Sequence, residues 1–161
     1  MSSFRIRPAA EADIAAIAAV GARAWASNVF SFEPELPGMR MHVEKAFRAF
    51  AETSYGNVLI GELDNVVLGW GAREEDNDYI SDLWVDPVVQ GQGIGSAILR
   101  TLMSNIRDAG YLRARISTHA RNVRAIRLYE REGFTVIEQG PEWSTSLERE
   151  MDKVKMLAEL R

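Results

Sequence analysis

Asp82-Leu-Trp-Val-Asp-Pro-Val-Val-Gln-Gly-Gln-Gly-Ile-Gly-Ser96 is the stretch that decides the fold. Tyr79 to Val85 reads as a strand, ended by Asp86-Pro87. Gly91, Gly93 and Gly95 follow, and Ile94, Ile98, Leu102 and Ile106 then form a helical stripe closed by Gly110. Glycines between strand and helix permit positive φ and close backbone approach, so several N–H groups can converge on one anion. The helix dipole and its unpaired first N–H groups favour the same charge. The turn is therefore read as a phosphate site, set against a glycine turn used only for tight packing. A Rossmann fingerprint fails, because Gly-x-Gly-x-x-Gly counted from Gly91 ends on Ser96. A Walker loop fails too, because no lysine lies near the turn.

Outward from this turn, the first half is antiparallel in character. Phe4 to Arg7 alternates as a short strand stopped by Pro8. Ile14, Ile17, Ala18, Gly21 and Trp25 mark an amphipathic helix, as do Val43, Ala46, Phe47 and Phe50. Ser27 to Gly38, with Pro34 and Pro37, reads as a loop exposing Phe30, Phe32 and Glu33. Asn57 to Leu63 and Val66 to Arg73 flank the turn Asp64-Asn65 as a hairpin. Beyond the turn, Tyr111 to Thr118 reads as a strand, Asn122 to Glu132 as a helix ended by Gly133, and Phe134 to Ile137 as a strand. That alternation favours parallel pairing in the second half. Ser144 to Met151 fits a last strand or part of a C-terminal helix.

The 161 residues suit one domain, 1–161, with no repeat or linker to divide it. Hydrophobic residues make up 47%, which excludes wholesale disorder. Zero cysteine removes disulfides, thiolate nucleophiles and cysteine-ligated zinc, and no metal is expected. Arg5, Arg7, Glu11 and Asp13 stand where a signal peptide needs an apolar run, and nothing approaches the roughly 18 residues of a membrane span. A net charge of −4 argues against nucleic acid. The expectation is a soluble, cytoplasmic protein.

Gln90-Gly-Gln-Gly-Ile-Gly95 resembles the Gln/Arg-x-x-Gly-x-Gly/Ala signature of the GNAT superfamily of N-acetyltransferases. Leu83-x-Val85-x-Pro87 resembles that family's fourth strand, and Asn122-x-x-Ala125-x-x-Leu128-Tyr129-x-x-x-Gly133-Phe134 its second cofactor motif, in the right order from Tyr79 to Phe134. The resemblance implies an α/β domain with a mixed, mostly antiparallel sheet flanked by helices and one splayed parallel strand pair. It implies acetyl-CoA as co-substrate and direct transfer to a primary amine, of a small molecule or a peptide N-terminus. A module that binds CoA or acyl-CoA without catalysis is the rival reading.

Residue by residue, the resemblance places the pyrophosphate on Gln92 to Ser96, including Gly93, Ile94 and Gly95, beside Gln90 and Gly91. The pantetheine arm would run along Leu83, Trp84 and Val85, with Asn122 and Arg124 completing the cofactor side. A backbone N–H near Val85 would stabilise the oxyanion. Tyr129 would be the general acid, since tyrosine keeps its proton at neutral pH; the alternative is an aromatic packed beside Leu128. Relatives often place a basic glutamate five residues before the motif asparagine, where this chain has Ser117. The base is therefore open between Asp82, Glu33, His119 and ordered water.

Arg113, Arg115, Arg121, Arg124, Arg127 and Arg131 gather in one segment, either to attract CoA phosphates or as a solvated face. Glu74, Glu75, Asp76 and Asp78 form an acidic run, a steering patch for a cationic amine or simply a polar loop. Trp25, Phe30, Phe32 and Trp84 are candidates for an acceptor pocket, with helical spacing placing Trp25 in the core. The C-terminal segment leaves a homodimer open, because it would add a strand to a partner or lie free.

Overall fold

The computed structural model describes residues 4–74, 77–144 and 147–161. Glu75 and Asp76 of the acidic run lie outside them. The elements are β1 (Arg5–Pro8), α1 (Ile14–Val29), α2 (Met39–Ser54), β2 (Val58–Leu63), β3 (Val66–Arg73), β4 (Tyr79–Val85), α3 (Ile94–Asp108), β5 (Arg113–His119), α4 (Val123–Arg131), β6 (Thr135–Ser144) and β7 (Arg149–Glu159). One seven-stranded sheet has the order β1-β2-β3-β4-β5-β7-β6. Its strand pairs are antiparallel except β4 with β5. The mixed, mostly antiparallel sheet flanked by helices is thus present.

Apolar periodicity explains the layers. Ile94, Ile98, Leu102 and Ile106 are buried and seat α3 on one face of the sheet, in a cluster shared with Tyr129 of α4 and Phe134. Ile17 and Val20 of α1 pack on the opposite face with Ile60 and Trp70. Asp64 and Asn65 both have positive φ, as a tight hairpin turn between Leu63 and Val66 requires. A Cβ on Gly71 would lie 2.8 Å from Ile98 and 3.2 Å from the Asp82 carbonyl oxygen. Gly71→Ala is expected to cost about 1–3 kcal/mol by overpacking, read as a lower urea midpoint at unchanged slope.

Two expectations change and one open alternative is decided. Parallel pairing in the second half is confined to Tyr79↔Arg115 and Ile80↔Ile116. β6 runs in the same direction as β5 but never meets it, because β7 lies antiparallel between them. Of the two readings open for the segment after Trp143, the described residues take the strand: β6 extends to Ser144 and β7 begins at Arg149. The loop after α1 starts later, since α1 continues to Val29, and Phe30, Phe32 and Glu33 are half-buried rather than exposed.

Candidate active site

β4 carries an extra residue at the point where it leaves β5. Ala72 pairs with Asp82 and Arg73 with Ile80, so Ser81 is the surplus residue of a β-bulge. The bulge resets the alternation. Leu83 and Val85 pack toward α3, whereas Trp84 packs on the α1–α2 side. From Ser81 onward β4 and β5 no longer pair. Asp86 N donates to the Leu68 carbonyl at 2.8 Å, on the β3 side. By alternation the N–H groups of Leu83 and Val85 point the other way, into the splay.

A cleft of about 1590 Å³ runs through this gap. It is lined from one face by Gly95, Leu128 and Tyr129 and from the other by Trp25, Phe47 and Trp84. At the first end, Gly91 (φ 82°) and Gly93 (φ 93°) take backbone conformations that side chains disfavour. The Ala97 N–H donates to the Gly93 carbonyl, leaving the N–H groups of Ile94, Gly95 and Ser96 without an intrahelical acceptor. A Cβ on Gly95 would lie 3.3 Å from Val85 and 3.4 Å from Leu128. Gln90 donates to the Val85 carbonyl at 3.4 Å and accepts from the Arg124 guanidinium. Arg127 and Arg131 also line this end, and among the described residues none of these three arginines has a carboxylate partner. Converging N–H groups, cations and a glycine floor fit an anionic diphosphate.

Asp86, which directly follows β4, anchors the turn that borders the cleft. Buried at 4% exposure, it accepts from Val88 N at 3.2 Å and from Arg23 of α1 at 2.7 Å. It fixes the start of the glycine turn to α1. Asn122 caps α4, accepting from Ala125 N at 3.2 Å and donating to Thr118 Oγ at 3.0 Å. It lines the cleft while its side chain ties β5 to α4.

At the centre of the splay, Asp82 accepts from Trp84 Nε1 at 3.0 Å and from Ser81 Oγ at 2.9 Å. Its carboxyl stands among protein atoms at the floor of the open cleft. Desolvation pushes its pKa above the usual aspartate range, and the two hydrogen bonds only partly offset that. Tyr129 is 6% exposed, and burial, then the nearby Tyr79 and Asp82, push its phenol upward, so it remains protonated. Tyr79 and Ser117 share a hydrogen bond of 2.6 Å across the opening of the splay.

The far end brings together residues distant in sequence. His119, Arg121, Trp143, Ser144 and Lys153 all line it. Burial and the charge of Lys153 lower the His119 pKa, opposed by Glu33, so the imidazole is neutral at pH 7. Glu33 is ion-paired with Arg149 and is not among the residues lining the cleft. Phe32 packs on His119 at 5.7 Å between ring centroids, and Phe30 on Trp25 at 5.3 Å. Trp25 is both core, at 3% exposure, and cleft wall. Within the acidic run, Asp78 pairs with Arg115 at 2.7 Å and Glu74 accepts from Asn77, and neither lines the cleft. Among the described residues there is no group of three His, Asp or Glu that could hold a metal, and no helix long and apolar enough to cross a membrane.

Comparison with known proteins agrees with this geometry. The thialysine N-epsilon-acetyltransferase of Bos taurus is 29% identical over 117 residues, covering 62% of this chain and 69% of that protein. The ribosomal-protein-S18-alanine N-acetyltransferase of Escherichia coli superposes with a TM-score of 0.72 at 22% identity, over 98% of this chain and 94% of that one. A Salmonella typhimurium protein, yncA, solved with its cofactor acetyl-CoA, superposes with a TM-score of 0.71 at 25% identity over the same shares, 98% and 94%. The Acetyltransferase (GNAT) family matches residues 22–134. With its signature turn, splayed strand pair and Tyr129 motif inside that span, the chain belongs to the GNAT family of acetyltransferases.

Proposed function

We propose that the protein transfers an acetyl group from acetyl-CoA to a primary amine by direct attack in a ternary complex. The observation that carries this reading is that Asp82 and Tyr129 both line the cleft at the splay. There a carboxylate of raised pKa faces the opposite end of the gap from a phenol that keeps its proton. Acetyl-CoA supplies the activated acyl group. Its diphosphate would be held by the N–H groups of Gln92 to Ser96 with Gln90, Gly91 and Arg124, and its arm by Leu83, Trp84 and Val85. The Val85 N–H, turned into the splay, is placed to stabilise the oxyanion. Asp82 takes one proton from the ammonium before attack, the nitrogen of the tetrahedral intermediate gives up its second proton to water, and the Tyr129 hydroxyl protonates the leaving thiolate and regains its proton from solvent. Glu33 orders the acceptor rim through Arg149 rather than acting as base.

A relative named for acetylation of thialysine and a fold neighbour named for acetylation of a protein alanine frame the acceptor as a small-molecule amine or a peptide N-terminus. The test is thiol release from acetyl-CoA with a panel of amines, competed by CoA and not by ATP or NAD. Amine-dependent release with stoichiometric acetylamine is the expected result. CoA binding without any amine-dependent release would instead establish the non-catalytic binding module.

A further inference from the structure

Charge is unevenly distributed along the cleft. Among the described residues, Asp82 is the sole carboxylate lining it. The α4 arginines answer for the diphosphate end. That leaves Arg121 and Lys153 at the opposite end, on the side of the sheet away from α3. Lys153 sits beside His119 in the β5–β7 register, and His119 is two residues from Arg121. Lys153 has no carboxylate within ion-pair distance among the described residues, and neither has Arg121. Arg121 is already oriented: its guanidinium donates to the Phe32 carbonyl at 3.2 Å and lies 5.5 Å over the Phe32 ring. The nearby acid, Glu33, is neutralised by Arg149. His119 stands opposite Lys153 across the β5–β7 ladder, and its Nδ1 is buried without a hydrogen-bond partner among the described residues. Two uncompensated cations on a cleft wall form a recognition surface for an oxyanion.

We infer that the acceptor carries an oxyanion, a carboxylate or a phosphonate-like group, at a fixed distance from its primary amine. The amine reaches Asp82 and the oxyanion reaches Lys153 and Arg121. Such a layout selects against diamines and polyamines, whose second ammonium would meet like charge. The inference rests on the amine-transfer reading above.

The test is a ladder of ω-amino carboxylates of increasing chain length, each compared with the alkylamine and the diamine of equal length. ω-Aminoalkylphosphonates form a second arm that separates the two kinds of oxyanion. At a favoured length the oxyanion-bearing amine is expected to exceed the alkylamine about tenfold in kcat/KM, the size of one charge-assisted hydrogen bond. The gain should lie in KM and shrink with added salt. Lys153→Gln should collapse that preference at least about fivefold. Lys45→Gln, which removes the same charge from an exposed position of α2 outside the cleft lining, should leave it intact. Alkylamines or diamines that match the oxyanion series at every length would overturn the inference while leaving amine transfer standing. So would a Lys153→Gln loss shared equally by all acceptors. Absence of thiol release with every amine would instead bring down the amine-transfer reading itself.

Discussion

Tyr129→Phe is expected to lower kcat by about a hundredfold or more, the range of a lost general acid, with the affinity for CoA unchanged. The ring is lodged against Phe134 with centroids 6.1 Å apart and is 6% exposed, so phenylalanine fills the same volume. The glycine turn and α4 arginines lie on other residues, so cofactor binding by calorimetry should not move. Single-turnover measurement isolates the chemical step. Equal turnover by wild type and variant would reduce Tyr129 to packing and end the assignment. Because burial raises the phenol's pKa, the alkaline limb set by Tyr129 should lie above the ordinary tyrosine value of about 10.

Asp82→Asn should reduce kcat/KM by about 10²-fold and abolish the acidic limb of the pH profile. In the wild type that limb lies above the usual aspartate range, because the carboxyl is desolvated. The same shift predicts a stability effect of opposite sign. An unfolded aspartate ionises near pH 3.9, while the folded one holds its proton to higher pH. Between those values the folded state binds more protons, so wild-type stability falls as pH rises through the window and stays lower above it. Asparagine is free of that cost. The variant should therefore melt above wild type at pH 8, with the difference shrinking toward pH 4. A slow enzyme with lower thermal stability at pH 8 would contradict the desolvated carboxylate.

The parts legible in the sequence are those whose chemistry is local. A strand-to-helix turn with positive-φ glycines is written in consecutive residues, so Gly91, Gly93 and Gly95 mark it within six positions. The stripe of α3 and the Asp64-Asn65 turn are likewise set by near neighbours. Long-range features were hidden. Strand–helix–strand logic holds for β4–α3–β5 and fails for β5–α4–β6, because the strand that intervenes is written after both. Asp86 finds Arg23 across 63 positions, and nothing near either residue marks the pairing. Ser81 and Asp82 alternate on paper, and only pairing with β3 exposes the bulge that turns Asp82 into the cleft. Lys153 reaches the cleft lining through its register with His119, which no periodicity in β7 encodes.

The placement of β7 bears on how the protein comes into being. The strand made last occupies an interior lane of the sheet, while β6, made before it, ends up at the rim. Until residues 149–159 arrive, β5 shows an open edge and β6 has no neighbour at all. A growing chain therefore carries bare strand edges, the kind that pair with other chains. β5 and β7 must also close across the whole intervening α4 and β6 segment, which slows the final step. The period of greatest risk of self-association falls late in synthesis, after most of the fold exists and before its last strand slots in.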